Sequence, residues 1–208
     1  MQKLLLHPAT KPVVFLLALG PFAWLFYNAW IDNLGANPAE AVIRSTGDWT
    51  LRFLCITLAV TPLRLIFKQP GLARYRRMLG LFMFFYAVMH FLSYSGFDMG
   101  FDLAAIVKDI PKRPFVLVGT AALLLTIPLA ATSFNRAIKW MSAPRWRRVH
   151  RLIYAIAVLA ILHFFWIRAG KNNFAEVAVY AVILAVLLGW RVMDWSRKRM
   201  PSTGARAA

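Results

Sequence analysis

The sequence predicts an all-α fold: a polytopic membrane bundle of six transmembrane helices with both termini cytoplasmic. Three observations predict it. Of the 208 residues 60% are hydrophobic, and the mean hydropathy is +0.58, too apolar for a soluble domain of this size. The apolar residues gather into six runs, each near the about 20 residues that cross some 30 Å of hydrocarbon. Lys and Arg collect on alternate sides: the N-terminus, the segments after runs two and four and the C-terminal tail hold most of the 25, which puts them on the cytoplasmic face.

The first run, Pro12–Trp30, follows Lys3 and Lys11 and contains Pro21. It is too long for a signal-peptide core, and no small-x-small cleavage pattern follows it. A loop, Ile31–Asp48, leads to the second run, Trp49–Phe67, where Pro62 kinks or ends the helix. Arg52 sits one turn inside and can reach back to the interface. KQPGLARYRR is a basic turn before the third run, Met78–Gly96. Phe97–Arg113 mixes acids with bases, and its centre, FDLAAIVKDI, reads as a short interfacial helix. The fourth run is Pro114–Phe134, with Pro128 inside it. NRAIKWMSAPRWRR is a loop, Val149–Ile167 the fifth run, RAGKNN a tight turn and Phe174–Val192 the sixth run. The polar tail SRKRMPSTGARAA has too little apolar surface to fold. Residues 1–198 thus form one domain, and 199–208 a disordered cytoplasmic tail. Tryptophans such as Trp30, Trp49, Trp140, Trp146, Trp166 and Trp195 fall near run ends, as an aromatic belt does.

Charge and cysteine content exclude several classes. A net charge of +17 in a soluble chain would suggest nucleic acid; here the cations sit between apolar runs, where they orient the chain and meet lipid headgroups. Cys55 is the one cysteine, so iron–sulfur clusters, thiolate zinc sites and covalent CxxCH haem attachment are impossible within the chain. No Walker, GxSxG, HExxH or dinucleotide motif occurs. No acidic residue interrupts the middle of a run, which speaks against a carboxylate-based proton-coupled transporter.

The histidines remain. An imidazole in hydrocarbon is costly, so a span that keeps one is presumed to use it. Runs three and five cross in the same direction. Arg77 to His90 and His150 to His163 are the same 13 residues apart, about 20 Å along a helix. His90 and His163 therefore share a depth toward the outer face, and His150 lies low, level with Arg77. Two histidines at one depth on two helices suit the axial positions of a haem iron held in a bundle core. Phe84, Phe85, Phe91, Phe164 and Phe165 would wall a porphyrin. For His90 alone, a hydrogen bond to a neighbouring carbonyl is an equally good reading. Thirteen residues leave His150 and His163 far apart around a straight helix, so for both to bind haem that helix must bend, or two haems must lie on different sides of it. His150 has no histidine at its level, so a haem there needs a weak or unusual sixth ligand; guanidinium has no free lone pair for iron, so Arg77 would serve a propionate or a flavin phosphate, or only anchor the chain at the cytoplasmic face as its neighbouring arginines do. His7, beside Pro8, reads as a solvated terminal residue. A transporter or channel with histidines along its path, a cofactor-free assembly subunit and a self-standing ferric reductase are the alternatives.

Several segments carry a family resemblance: ITLAVTPLR, KQPGLARYRRMLGL, HFLSY around His90, KRPF, LAATSF, RWRRVHRLIY and ILHFFW. In this order, with His90, His150 and His163 in place, the chain resembles the MsrQ-like haem-binding membrane subunits of bacterial methionine sulfoxide reductase systems, within the wider ferric-reductase-like transmembrane group. The resemblance implies a multi-pass protein of the bacterial inner membrane carrying b-type haem, one or two, and a flavin mononucleotide. It implies electron transfer from the quinone pool or a cytosolic flavin reductase to a periplasmic molybdopterin-containing reductase that repairs methionine sulfoxide in envelope proteins. By the same resemblance His90 and His163 are ligands of an outer haem, and His150 is a ligand of an inner one. Arg77 stands where related oxidases have a histidine. The chain is then an electron-transfer subunit and not the catalytic one, and its docking surface is Ile31–Asp48, Phe97–Arg113 and Arg168–Asn173.

Overall fold

A computed structural model describes residues 2–170 and 172–199, with side chains as far as Arg197. Among the described residues the chain is helical and has no strand. The helices are α1 Gln2–Leu6, α2 Thr10–Trp30, α3 Pro38–Ile66, α4 Ala73–Phe97, α5 Leu103–Asp109, α6 Pro114–Ala131, α7 Asn135–Met141, α8 Ala143–Val149, α9 Leu152–Ala169 and α10 Ala175–Arg199. Among the described residues six stretches are long and apolar enough to cross a membrane: α2, α3, Pro70–Phe97, α6, Ala143–Ala169 and Ala175–Arg197.

The six spans match the six apolar runs, but several boundaries differ. The second span begins at Pro38, not Trp49. Asn37 caps it by accepting from the Glu40 N–H at 3.1 Å, and Pro38 fills the first turn. Most of the expected outer loop Ile31–Asp48 is therefore helix. Arg52 lies four turns inside α3, where its Nε donates to Tyr180 Oη of α10 at 3.2 Å, and Asp48 stands ten residues inside a span. NRAIKWMSAPRWRR folds as the short helices α7 and α8. The interfacial helix in FDLAAIVKDI forms as α5, capped by Asp102 on the Ala104 and Ala105 N–H groups. The sixth helix runs to Arg199, so Ser196–Arg199 continue it and do not begin a tail; the expected disorder of 200–208 lies outside the described residues.

Packing divides the bundle into two helix pairs, α3 against α4 and α6 against α9, joined where α4 meets α6. Helix α10 covers α9 and α3, and α2 rests on α3 and α4. The centre holds Phe53, Leu54, Leu58, Met83, Tyr86, Ile156, Ala157 and Leu184. There Phe53 stacks on Tyr86 at 5.3 Å and on Phe82 at 5.6 Å. A smaller cluster of Tyr94, Ile106 and Val116 seats α5 over one end of the bundle.

Two of the prolines in the spans have visible consequences. Pro62 cannot donate to Leu58 O, and Arg191 of α10 fills the gap: its guanidinium donates to Leu58 O and, at 2.9 Å, to Leu187 O. Beside Pro21, the Tyr86 hydroxyl accepts from the Phe22 N–H at 3.1 Å and donates to Ala18 O at 2.9 Å, bridging one rung of α2.

Candidate functional site

His90 projects from α4 toward α3, where its Nδ1 lies 2.8 Å from Ile43 O, with Thr46 Oγ1 farther off at 3.5 Å. A carbonyl oxygen only accepts, so Nδ1 carries the proton, and in the neutral ring Nε2 keeps its lone pair. The ring lies against Gly47: a Cβ at that position would stand 3.0 Å from the imidazole. His163 of α9 repeats the arrangement against α6. Its Nδ1 donates to Phe115 O at 2.6 Å, and a Cβ on Gly119 would come within 2.7 Å of the ring. In both seats the glycine is four residues beyond the accepting carbonyl, so one turn of the neighbouring helix supplies both acceptor and clearance.

The two rings meet across the junction of the helix pairs. Their centroids are 6.0 Å apart and their planes are inclined at 81°. The spacing is close to two imidazole–metal bonds of about 2 Å plus the two ring radii. Among the described residues no group of three or more His, Cys, Asp or Glu gathers anywhere, so a bare ion lacks a donor set. Two neutral imidazoles suit an iron that brings its other four donors in a macrocycle.

Both histidines line a cavity of about 560 Å³, within the range of about 300–1,000 Å³ usual for cofactor pockets. Its deep end is apolar, with Leu54, Met83, Leu123 and Ile156; its mouth carries Arg44, Asp48, Arg113 and Arg168. Arg168 is buried, paired with Glu176 and 5.2 Å from the Phe164 ring. At the rim Arg113 pairs with Asp109, which also accepts from the Tyr94 hydroxyl at 2.6 Å; the Arg113 hydrogen bonds hold the Asp109 carboxyl below its ordinary pKa. Of the expected aromatic wall, Phe91 and Phe164 line the cavity, joined by Phe115. Phe84 is not among the lining residues. Phe85 packs on Phe22 and Tyr86, and Phe165 stacks on Phe174, because each side chain leaves its helix on another face.

Asp48 alters the earlier reading of the spans. A carboxylate does sit well inside one, because α3 starts eleven residues before the apolar run. The polar stretch RSTGDWT reads as loop by hydropathy and folds as helix because half of it faces a lined cavity. Gly47 and Gly119 went unread as well, although a glycine inside an apolar span, away from any turn, is itself a sign of close approach.

The lower residues behave differently. His150 closes the last turn of α8, stacks on Trp146 at 3.9 Å and bonds the Trp146 carbonyl of its own helix at 3.1 Å. The chain turns at His150 and Arg151 before α9 begins, so this span is not one straight helix. Arg77 donates from Nη1 to Asn135 Oδ1 at 2.6 Å. Neither lines the cavity of His90 and His163. His7 is exposed, as expected.

Comparison with known proteins places this arrangement in a family. Residues 46–161 match the ferric reductase like transmembrane component family. A protein of Polaromonas naphthalenivorans (strain CJ2), named protein-methionine-sulfoxide reductase heme-binding subunit MsrQ, is 67% identical over 95% of this chain and 91% of its own length. Proteins with the same name from Ralstonia nicotianae and Bordetella pertussis are 54% and 49% identical, over 88% and 91% of this chain and 85% and 91% of theirs. No solved structure matches. A helical membrane bundle with paired histidines, aligned over nearly its full length with these relatives, belongs to the MsrQ family of the ferric-reductase-like transmembrane group.

Proposed function

We propose that the chain conducts electrons through the membrane by way of a b-type haem clasped between His90 and His163, serving a methionine sulfoxide reductase. The paired seats carry this reading: two imidazoles from different helix pairs, each fixed through Nδ1, 6.0 Å apart and lining one cavity. Haem bound there supplies a one-electron couple. The chain's residues do the rest. Ile43 O and Phe115 O fix tautomer and ring orientation, as carbonyl partners of metal-binding histidines do. The apolar deep wall excludes water, and Arg44, Arg113 and Arg168, which line the cavity together with Glu40, Asp48 and Asp98, would be the residues to meet the carboxylates of the macrocycle.

The acceptor in this reading is a periplasmic molybdopterin-containing reductase that repairs methionine sulfoxide, docked at the α5 end beside the histidine pair. The donor is the quinone pool or a cytosolic flavin reductase, the membrane is the bacterial inner membrane, and both termini are cytoplasmic. His150 and Arg77, at the opposite end, are the residues for a second haem or an FMN phosphate. The test is a visible spectrum of the purified protein, oxidised and then dithionite-reduced, beside His163→Ala. A low-spin b-type spectrum lost in the variant is expected. A colourless wild type would end the haem reading and favour a transporter; a full Soret band in His163→Ala would end the ligand assignment.

A further inference from the structure

Among the described residues Arg168 is the only buried one that carries a charge. It stands in the last turn of α9, five residues beyond His163, and lines the same cavity. A cation at a helix C-terminus suits the helix dipole, but a solvated one would serve that purpose equally. Keeping a guanidinium away from water inside a membrane bundle is costly. Three ion pairs stand at the cavity mouth, and they are not alike. The side chains of Arg44 and Glu40 are 49% and 38% exposed, and those of Arg113 and Asp109 are 33% and 18% exposed. In both pairs the cation is the wetter partner. The third pair reverses the order, with Arg168 6% and Glu176 54% exposed. Water screens an exposed charge, whereas a buried charge keeps its field. The pair is neutral in sum, yet the cavity sees mainly its cation.

We propose that Arg168 is the fixed positive charge that raises the reduction potential of the centre between His90 and His163, and that Glu176 moderates it from α10; the proposal rests on that centre being haem. Reduction brings one electron into the cavity, and a cation beside it favours the reduced state. Guanidinium stays protonated, so this bias does not depend on pH. The guanidinium is held on two sides, by Glu176 and by the Phe164 ring. Asp48 of α3 also lines the cavity, where the charges of Arg168 and Glu176 reach it, but Arg44 and Arg52 flank it one turn to either side. Its charge is thus countered on its own helix, and that of Arg168 is not. Helix α10 carries a built-in contrast. Tyr180, one turn beyond Glu176, accepts from Arg52, which is exposed, lies 4.6 Å from the Trp49 ring and is not among the residues lining the cavity.

The test is a dye-mediated redox titration of the haem-loaded protein in lipid nanodiscs at neutral pH, with thermal unfolding measured beside it. Arg168→Gln should lower the reduced-to-oxidised ratio at a fixed potential roughly tenfold, the effect of a unit charge acting over about 10 Å at an effective dielectric near 20. Arg168→Lys keeps the charge and should stay close to the wild type. Glu176→Gln should move the ratio the other way, by about two- to threefold, because water screens most of that charge. Arg52→Gln removes a cation from outside the cavity and should change the ratio least. A purely structural pair would lose stability when either partner is removed, and it could not shift the potential in opposite directions. Shifts of one sign in Arg168→Gln and Glu176→Gln, or none in either, would overturn the proposal. So would a fall in Arg168→Lys as large as in Arg168→Gln, which would assign the effect to the guanidinium hydrogen bonds and not to the charge. Should Arg168→Gln lose its haem, Glu176→Gln and Arg168→Lys decide the matter by the same signs. A wild type without a haem spectrum would instead overturn the redox reading beneath it.

Discussion

His163 and His150 leave the same span, yet only one of them has a seat. His163 reaches across to another helix, finds a carbonyl there and lies over a glycine that makes room for it. His150 bonds its own helix and stacks on a tryptophan one turn back. A histidine that satisfies itself locally needs no neighbour. One that depends on a neighbour for both hydrogen bond and clearance is held in a single orientation, with its second nitrogen turned to whatever shares the cavity. The difference between an imidazole held from another helix and one satisfied within its own therefore lies in the facing helix.

Filling the seats should break that contrast most sharply. Gly119→Ala puts a methyl 2.7 Å from a ring that Phe115 O holds in place, so the ring must move. Overpacking of this kind costs about 1–3 kcal/mol, and haem content on purification should fall accordingly. Gly47→Ala, with 3.0 Å of clearance, should lose less; equal retention of haem in both would show that the seats do not set ring position.

Arg191→Met comes next, because it strands Leu58 O beside Pro62. Loss of that partner should cost about 1–3 kcal/mol of thermal stability, with the haem spectrum unchanged. Adding Pro62→Ala, which returns an N–H to the rung, should recover much of the loss. No recovery would mean that Arg191 acts through another contact.

His150→Ala should leave the spectrum of the upper pair intact and change only the signal of a lower centre. Loss of all haem would mean that the two ends are not independent.

The smallest effect belongs to the rim. The Asp109 carboxyl is depressed by Arg113, so its contribution is present above the ordinary carboxylate range and is lost as the pH falls through the lowered value. Acidification below about pH 4 should increase hydrogen exchange in Leu103–Asp109, and Asp109→Asn should flatten that dependence.

The six spans and the matched depth of His90 and His163 could be read from the chain because both rest on simple periodicities: run length and helical rise. The start of α3 could not, since hydropathy sees RSTGDWT as polar; the Asn37-Pro38-x-Glu40 cap was the better signal. The carbonyl partners Ile43 and Phe115 leave no mark on their side chains. The pairing of Arg191 with the gap at Pro62 spans most of the sequence, and no local pattern announces it.

Each half of the clasp is anchored within its own helix pair: His90 to α3 from α4, His163 to α6 from α9. An ion shared by the two rings would add a rivet between two helix pairs that otherwise meet where α4 packs on α6 and through α10, which covers both α9 and α3. Cofactor insertion would then also tighten the assembly, and the empty protein should show itself as two loosened halves, open to protease at the links between them, before any helix is lost.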